Sequence, residues 1–232
     1  MNELQAREEI CRVGQSLFAR GYVHATAGNI SVRLGAEAGG GYLITPTDAC
    51  LGFLEPGRLA RVDEAGQQIS GDRASKTLML HRHIYSATAH TPLPARCVIH
   101  THSTHCVALS LRADLHPIHS ATGEAELLPP LTPYFVMKVG HVPLTGYHFP
   151  GSAAAAQRTA ALIDAYAAAG TPIRAVMLDR LGPNVWGHTP AAAMAVLEEL
   201  EETARLRFLA STATSLGSAE LADLHQQFAT HW

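Results

Sequence analysis

The segment that most constrains the fold is a short apolar run that ends in two histidines, Cys97-Val-Ile-His100-Thr-His102. Alternate side chains of a β-strand share a face, so the imidazoles at positions 100 and 102 would lie side by side. Imidazole is a good ligand for zinc and similar transition metals. The pattern predicts a buried strand that presents two metal ligands. The alternative is two ordinary histidines in a chain that has 14 of them.

The composition excludes several classes of protein. The chain has 232 residues, 47% of them hydrophobic and 16% charged, which predicts one domain over residues 1–232 with a full core. A net charge of −3 gives no basic surface for nucleic acid. No run approaches the length of a membrane span, and the charged N-terminal residues lack the apolar core of a signal peptide. The four cysteines are widely spaced, which is typical of reduced thiols in a cytoplasmic protein.

Helical and strand patterns alternate along the chain, which predicts a mixed α/β fold. A helix that ends at Gly21 is followed by a hairpin over residues 30–44. Further strands are predicted at 97–102, 141–144, 175–178 and 184–186, and further helices at 71–89, 103–111, 152–169, 190–210 and 218–229. The proline-rich stretch from 113 to 133 is irregular and is the candidate functional loop.

Five segments in order resemble one family. They are Thr26-Ala-Gly-Asn-Ile-Ser-Val-Arg33, Leu43-Ile-Thr-Pro-Thr47, Gly71-Asp-Arg-Ala-Ser-Lys76, His100-Thr-His-Ser and Leu181-Gly-Pro-Asn-Val-Trp-Gly187. Their order and spacing resemble the class II aldolase/adducin family, which contains fuculose-phosphate aldolases, ribulose-phosphate epimerases and the adducin head domain. The resemblance covers nearly the whole chain. It implies a three-layer α/β fold in which helices flank a central, mainly antiparallel sheet.

Within the family, three segments look most like the 3-oxo-tetronate 4-phosphate decarboxylases: 71–76, 132–140 and 198–206. The segment from His100 to Cys106 is closer to fuculose-phosphate aldolase. The resemblance therefore implies a metal-dependent lyase that acts on a small oxidised sugar acid or sugar phosphate. Decarboxylation of a substrate like 3-oxo-tetronate 4-phosphate, through an enediolate that the metal stabilises, is the first expectation. Retro-aldol cleavage of a sugar phosphate is the alternative.

The resemblance also assigns roles to residues. His100 and His102 match two metal ligands, and the divalent metal is expected to be zinc, with manganese or iron as alternatives. Tyr134 matches a catalytic tyrosine that reaches the site from a neighbouring subunit; the other interpretation is a core tyrosine. His105 is expected to support the site or the fold rather than bind metal.

A second set of residues matches the phosphate-binding positions of the family. This set consists of Gly28, Asn29, Thr47, Ser75 and Lys76. Short polar side chains, backbone N–H groups and the start of a helix suit an anion there. Taken alone, Asn29 would be a turn residue and Ser75 a helix N-cap. By resemblance the protein is a cytoplasmic homotetramer with a small-molecule substrate and without nucleic acid or membrane partners.

Two positions depart from the family pattern. Thr77 stands where a metal-binding or basic carboxylate is expected, and Leu181 stands where a third histidine is expected. Expelling carbon dioxide requires an electron sink but no base, so the first change favours decarboxylation mildly. The second change leaves two imidazoles that need another ligand, or else it indicates a non-catalytic member of the family, as the adducin head domain is.

Three residues are candidates to complete the metal site: Asp179, His141 and His148. A set of two histidines and one carboxylate would also suit non-haem iron and oxygen chemistry. Asp48 is a further departure, because it replaces a usual glycine beside the phosphate positions. Either Lys76 pairs with Asp48, or the substrate presents a different polar group there.

Overall fold

The computed structural model describes residues 1–119, 121–210 and 212–232. Within them, one sheet contains β1 (Asn29–Arg33), β2 (Tyr42–Ile44), β3 (Ala60–Val62), β4 (Gln68–Ser70), β5 (Cys97–His100), β6 (Leu144–Thr145), β7 (Ala175–Leu178) and β8 (Gly182–Gly187). The strand order is β4-β3-β2-β1-β5-β8-β7-β6. Only the β6–β7 pair is parallel among these strands, so the predicted mainly antiparallel sheet is confirmed.

Helices cover both faces of the sheet. They are α1 (Glu3–Ala19), α2 (Leu78–Thr88), α3 (Thr104–Ser110), α4 (Pro133–Lys138), α5 (Ala153–Ala168), α6 (Pro190–Leu209) and α7 (Ser218–Phe228). Ile30 and Ile99 pair across β1 and β5 and face α1, α3, α4 and α6. The next pair, Ser31 and Val98, points to the other face, which α2 and α5 cover. The predicted three layers are confirmed. No helix within the described ranges is long and apolar enough to span a membrane.

Local sequence explains where the long helices begin and end. Asn2 and Gln5 form a reciprocal capping box at the start of α1, with the Gln5 N–H 2.9 Å from Asn2 Oδ1. Gly21 follows this helix with φ of +74°, a conformation that favours glycine. Thr189 caps α6, and Pro190 occupies its first turn. The predicted helices at the N-terminus and at 152–169, 190–210 and 218–229 are confirmed within a few residues.

The prediction of a helix opening at Gly71 is wrong. The helix begins at Leu78, because the preceding segment pairs with the chain that follows β2. Ala74 forms a bridge with Pro46, and the Thr47 N–H donates to the Arg73 carbonyl at 2.9 Å. Strands β3 and β4 and helix α4 were not predicted. The strand predicted at 141–144 lies at Leu144–Thr145 instead.

Candidate functional site

A cavity of about 440 Å³ opens beside the ends of β1 and β5. Seven of the eight residues predicted for the site line it: Gly28, Asn29, Thr47, Ser75, Lys76, His100 and His102. They come from three parts of the chain that the sheet brings together: the start of β1, the paired segments after β2 and before α2, and the end of β5. Tyr134 does not line the cavity.

His100, at the end of β5, and His102, two residues after it, have the spacing of ligands that share an ion. The strand predicted to reach residue 102 ends at His100. Two imidazoles bound about 2.0–2.1 Å from a tetrahedral zinc ion would have ring centroids about 5 Å apart. The centroids of His100 and His102 are 5.0 Å apart. His100 Nδ1 donates to the Pro183 carbonyl at 3.0 Å, which leaves Nε2 with its lone pair free for a ligand bond. The residues present therefore fit two ligands of a divalent metal.

Burial keeps both histidines neutral. It lowers the pKa of His100 to about 3, and the neighbouring His102 lowers that pKa further. Burial also lowers the pKa of His102, followed by the effect of His24. A metal binds only unprotonated imidazole, so the pair is ready to bind a metal at neutral pH without losing protons.

Thr77 and Leu181, the two residues that depart from the family pattern of metal ligands, cannot supply a strong ligand. The Thr77 hydroxyl lies 2.8 Å from Ser75 Oγ, and Leu181 lines the cavity with an apolar side chain. Of the three candidates to replace them, only His148 lines the cavity. Asp179 pairs with Arg180 at 3.5 Å, and His141 lies in a separate cluster.

One histidine near the pair was missed by the sequence analysis. The ring of His24 lies edge-on to His102 with the centroids 6.4 Å apart, and the side chain is exposed. It sits on a turn in which the Ala27 N–H donates to the His24 carbonyl and Ala25 has φ of +47°. A lone histidine in a loop carries no pattern that could have predicted this position.

The expected anion-binding residues form one wall of the cavity. Gly28 has φ of +85°, and a Cβ there would lie 2.8 Å from the His100 carbonyl oxygen, so only glycine fits. Asn29 is paired with His100 across the strands, and its buried Oδ1 has no partner within the described residues. Arg73, which was not predicted, lines the cavity together with Lys76. Two cationic side chains suit an anionic ligand, and the unsatisfied Asn29 Oδ1 is an acceptor that suits a donor such as a substrate hydroxyl.

Two expectations about this wall need correction. Ser75 is not a helix N-cap, since Thr77 occupies that position without a side-chain capping bond. No ion pair joins Asp48 to Lys76 among the described residues, although both line the cavity. Asp48 itself has φ of +56°, which explains why glycine would be usual at this position.

Tyr134 lies away from the cavity, on the second residue of α4. Its side chain is 56% exposed, so the alternative of a core tyrosine is wrong. Lys138 Nζ lies 5.5 Å from the centroid of its ring. Within a single chain, Tyr134 therefore does not meet the histidine pair. His105 donates from Nδ1 to Glu201 at 2.8 Å, consistent with the supporting role expected for it.

A buried polar network behind His100 was also missed. Asn184 of β8 is paired with His100, and neither polar atom of its side chain has a partner within the described residues. His81 of α2 accepts or donates at Nδ1 to Ser31 Oγ, which also contacts the Tyr85 hydroxyl, each at 2.7 Å. Burial lowers the pKa of His81 to about 3, and His100 lowers it further.

Comparison with known proteins agrees with this architecture. Residues 8–208 match the family of the class II aldolase and adducin N-terminal domain. The 3-oxo-tetronate 4-phosphate decarboxylase of Cupriavidus necator is 46% identical over 99% of both chains. The enzyme of that name from Escherichia coli is 38% identical over 89% of this chain and 88% of its own.

Solved structures give the same result. YgbL from Klebsiella pneumoniae is 38% identical, with a TM-score of 0.81 over 97% of this chain and 99% of its own. L-fuculose-1-phosphate aldolase from Thermus thermophilus is 26% identical, with a TM-score of 0.70 over 92% of this chain and 99% of its own. Relatives that are decarboxylases and aldolases by name confirm the predicted class of carbon–carbon lyase. The chain belongs to the class II aldolase and adducin family.

Proposed function

We propose that this protein decarboxylates 3-oxo-tetronate 4-phosphate or a closely related phosphorylated 3-oxo acid. The observation that carries the proposal is the meeting of two neutral imidazoles and a cationic, anion-binding wall in one cavity. A substrate of this class has a phosphate at one end and a 3-oxo carboxylate at the other, so it needs both features. Two relatives that are 3-oxo-tetronate 4-phosphate decarboxylases by name, at 46% and 38% identity, support the choice of substrate.

The anion-binding wall would hold the phosphate. Backbone N–H groups beside Gly28 and the side chains of Asn29, Thr47 and Ser75 are short donors that permit close approach. Lys76 would add a positive charge at the edge, where its side chain is exposed. Fixing the phosphate in this way would direct the oxo acid towards the histidine pair, which is how remote binding contributes to catalysis.

His100 and His102 would hold a divalent ion, which we propose is zinc. Such an ion supplies a Lewis acid that draws electrons towards the ketone oxygen as the carbon–carbon bond breaks. The contact with Pro183 fixes the ring orientation and tautomer of His100. We propose His24 as the imidazole that replaces the ligand lost at Leu181. Its ring centroid lies 6.4 Å from that of His102, which is 1.4 Å more than the 5.0 Å between His100 and His102, so a small movement of the exposed side chain would give the spacing of two ligands of one ion.

Tyr134 would act in the cavity of a neighbouring subunit. Loss of carbon dioxide leaves a carbon that must receive a proton, and a phenol is a suitable donor. The side chain is exposed on α4 and stands outside its own cavity, which leaves it available to a neighbour. We propose accordingly that the protein is a homotetramer, and that it works in the cytoplasm.

The absence of a carboxylate at Thr77 favours decarboxylation over retro-aldol cleavage. Aldol cleavage begins with removal of a hydroxyl proton by a base, whereas decarboxylation has no proton to remove. The Thr77 hydroxyl, bound to Ser75, is not such a base at neutral pH. The second candidate function is a non-catalytic role, which is favoured by the apolar Leu181 at the position of a ligand.

The test is an assay of carbon dioxide release from 3-oxo-tetronate 4-phosphate by protein loaded with zinc, manganese or iron. We expect turnover above the spontaneous rate, and its loss in His102→Ala. His90→Ala is the matched control, because His90 is exposed and lies outside the cavity. The same acid without phosphate should react poorly, and a sugar phosphate should not be cleaved. Turnover of none of these substrates with any of the metals would instead support the non-catalytic role.

A further inference from the structure

A second group of metal-ligand side chains lies outside the cavity, towards the β6 edge of the sheet. His119 follows α3, Glu126 forms a bridge with Pro143, and His141 follows α4. Each offers one ligand atom, and the three atoms lie within 4.8 Å of one another. Because β6 is three places from β5 in the sheet, the group lies about 14 Å or more from the histidine pair at ordinary strand spacing.

Glu126 is a carboxylate that the fold buries almost completely. Its exposed fraction is 3%, and that of His141 is 2%. Tyr166 donates its hydroxyl to Glu126 Oε1 at 2.8 Å, and His141 Nδ1 donates to the same oxygen at 2.8 Å. Two hydrogen bonds satisfy the oxygen atoms only in part, since a buried carboxylate also needs a compensating positive charge. A bound cation would supply it.

One nitrogen of His141 already lies against the carboxylate. Nδ1 is 2.8 Å from Glu126 Oε1 and 3.0 Å from Oε2, so an ion that replaces the proton between these atoms would bind both side chains. The ring proton of His141 would then be on Nε2, which is buried and has no hydrogen-bond partner within the described residues. The ligand atom that His141 offers to the group is therefore Nδ1.

Aromatic rings pack against His119 and His141, and the group is accessible from solvent on the side of His119. Trp232 stacks on His141 with centroids 4.1 Å apart, and Tyr166 stacks on His119 with centroids 5.1 Å apart. The rings of His119 and His141 meet edge-on at 4.1 Å. His119 is half-buried, so an ion can reach the group from its side. Burial lowers the pKa of His119, which favours the unprotonated form that binds metal.

We propose that His119, Glu126 and His141 bind a divalent transition-metal ion of the zinc class. Two imidazoles and one carboxylate are a ligand set for such ions. The ion would join two points of the proline-rich stretch, at residues 119 and 126, to the chain directly after α4. Its role is structural: it holds in place the helix that carries Tyr134. The binding of this ion does not depend on which reaction takes place in the cavity.

The test uses a variant that lacks the cavity histidines, His100→Ala/His102→Ala, after removal of metals with a chelator. Co²⁺ is added, and bound metal is measured by equilibrium dialysis. We expect about one equivalent to bind, because the edge ligands are intact. Co²⁺ should also quench the fluorescence of Trp232, which stacks on His141, and Trp232→Phe should abolish most of that quenching while Trp186 remains. Zn²⁺ should raise the melting temperature of the same variant.

Further substitutions in this background assign the ligands. His119→Ala and Glu126→Gln should each remove the bound equivalent, the quenching and the melting shift. His119 is half-buried and glutamine has the shape of glutamate, so both variants should fold, which their melting without metal checks. His116→Ala is the control from the same loop, and it should bind as before. Binding of less than about a tenth of an equivalent in the starting variant, or unchanged binding after His119→Ala, would overturn the proposal and leave an ordinary buried ion pair.

Discussion

The histidine pair of the cavity and the histidine pair at the β6 edge differ in what surrounds them. In the cavity, the ring centroids of His100 and His102 lie 5.0 Å apart, and neither ring forms a hydrogen bond with a carboxylate within the described part of the chain. At the edge, His141 is bonded to Glu126, which Tyr166 also contacts. The first pair is left with lone pairs that face an open cavity, whereas the second is enclosed by its own carboxylate and by aromatic rings.

This difference shows how one residue type can serve two purposes in one fold. Imidazoles without a local counter-ion remain neutral when buried, because a positive charge would be poorly solvated there. They are then free to bind a metal together with a substrate. Imidazoles that share a buried carboxylate are held in one orientation and join chain segments to each other. We expect substitutions in the cavity to change activity, and substitutions at the edge to change stability.

The largest effect should come from removing one cavity imidazole. His102→Ala should lower kcat/KM for decarboxylation by about three orders of magnitude, because a Lewis acid contributes several kcal/mol to the transition state. The melting temperature without metal should change little, since His102 is only partly buried. Carbon dioxide release and calorimetry measure the two quantities. An equal loss of activity in His119→Ala, at the β6 edge, would contradict the expectation that cavity substitutions change activity and edge substitutions change stability.

The pH dependence of stability sharpens the comparison for the metal-free protein. His81, behind His100, has a folded pKa of about 3, whereas an unfolded histidine titrates near 6.5. Above pH 6.5 both states are neutral and the pKa difference has no effect. Below it the unfolded state takes up the proton first, so stability falls as the pH falls towards 3. This one group should cost about 3 kcal/mol of unfolding free energy at pH 4.

The check is urea unfolding between pH 7 and pH 4. His81→Gln should flatten the curve relative to the parent, because glutamine keeps a polar partner for Ser31 but does not titrate. His90→Ala, an exposed position, should leave the slope as it is. A slope that His81→Gln does not alter would mean that His81 is protonated in the folded protein.

The fold was more predictable than the two histidine groups. The alternation of residues 97–102 placed His100 and His102 side by side, although the strand itself ends at His100, and capping residues and periodicity located α1 and α6. The start of α2 was missed because long-range pairing of Ala74 with Pro46 overrides the local pattern. The edge group joins residues 119, 126 and 141 from irregular segments, and no spacing in the sequence indicates that they meet.

A smaller effect is expected from the phenol of α4. Tyr134→Phe should lower kcat by about a hundredfold, the lower end of what a positioned proton donor contributes. If the tyrosine acts in a neighbouring subunit, co-expression of Tyr134→Phe with His102→Ala should restore activity to about a quarter of the wild-type value. Random assembly places a subunit with an intact His102 beside a subunit with an intact Tyr134 at about a quarter of the sites. Mixed oligomers as inactive as their parents would place Tyr134 outside the reaction.

The smallest effect concerns the ligand that completes the cavity pair. His24→Ala should weaken zinc binding about tenfold, or about 1.4 kcal/mol, and His148→Ala should not, although His148 lines the cavity. Leu181→His, which returns an imidazole to the family position, should restore the affinity lost in His24→Ala. Zinc titrations followed by melting temperature measure the zinc affinity of all three variants. The titrations are done in a Glu126→Gln background, which removes metal binding at the β6 edge. If His148→Ala is the variant that weakens binding, then His148 rather than His24 has replaced the missing histidine.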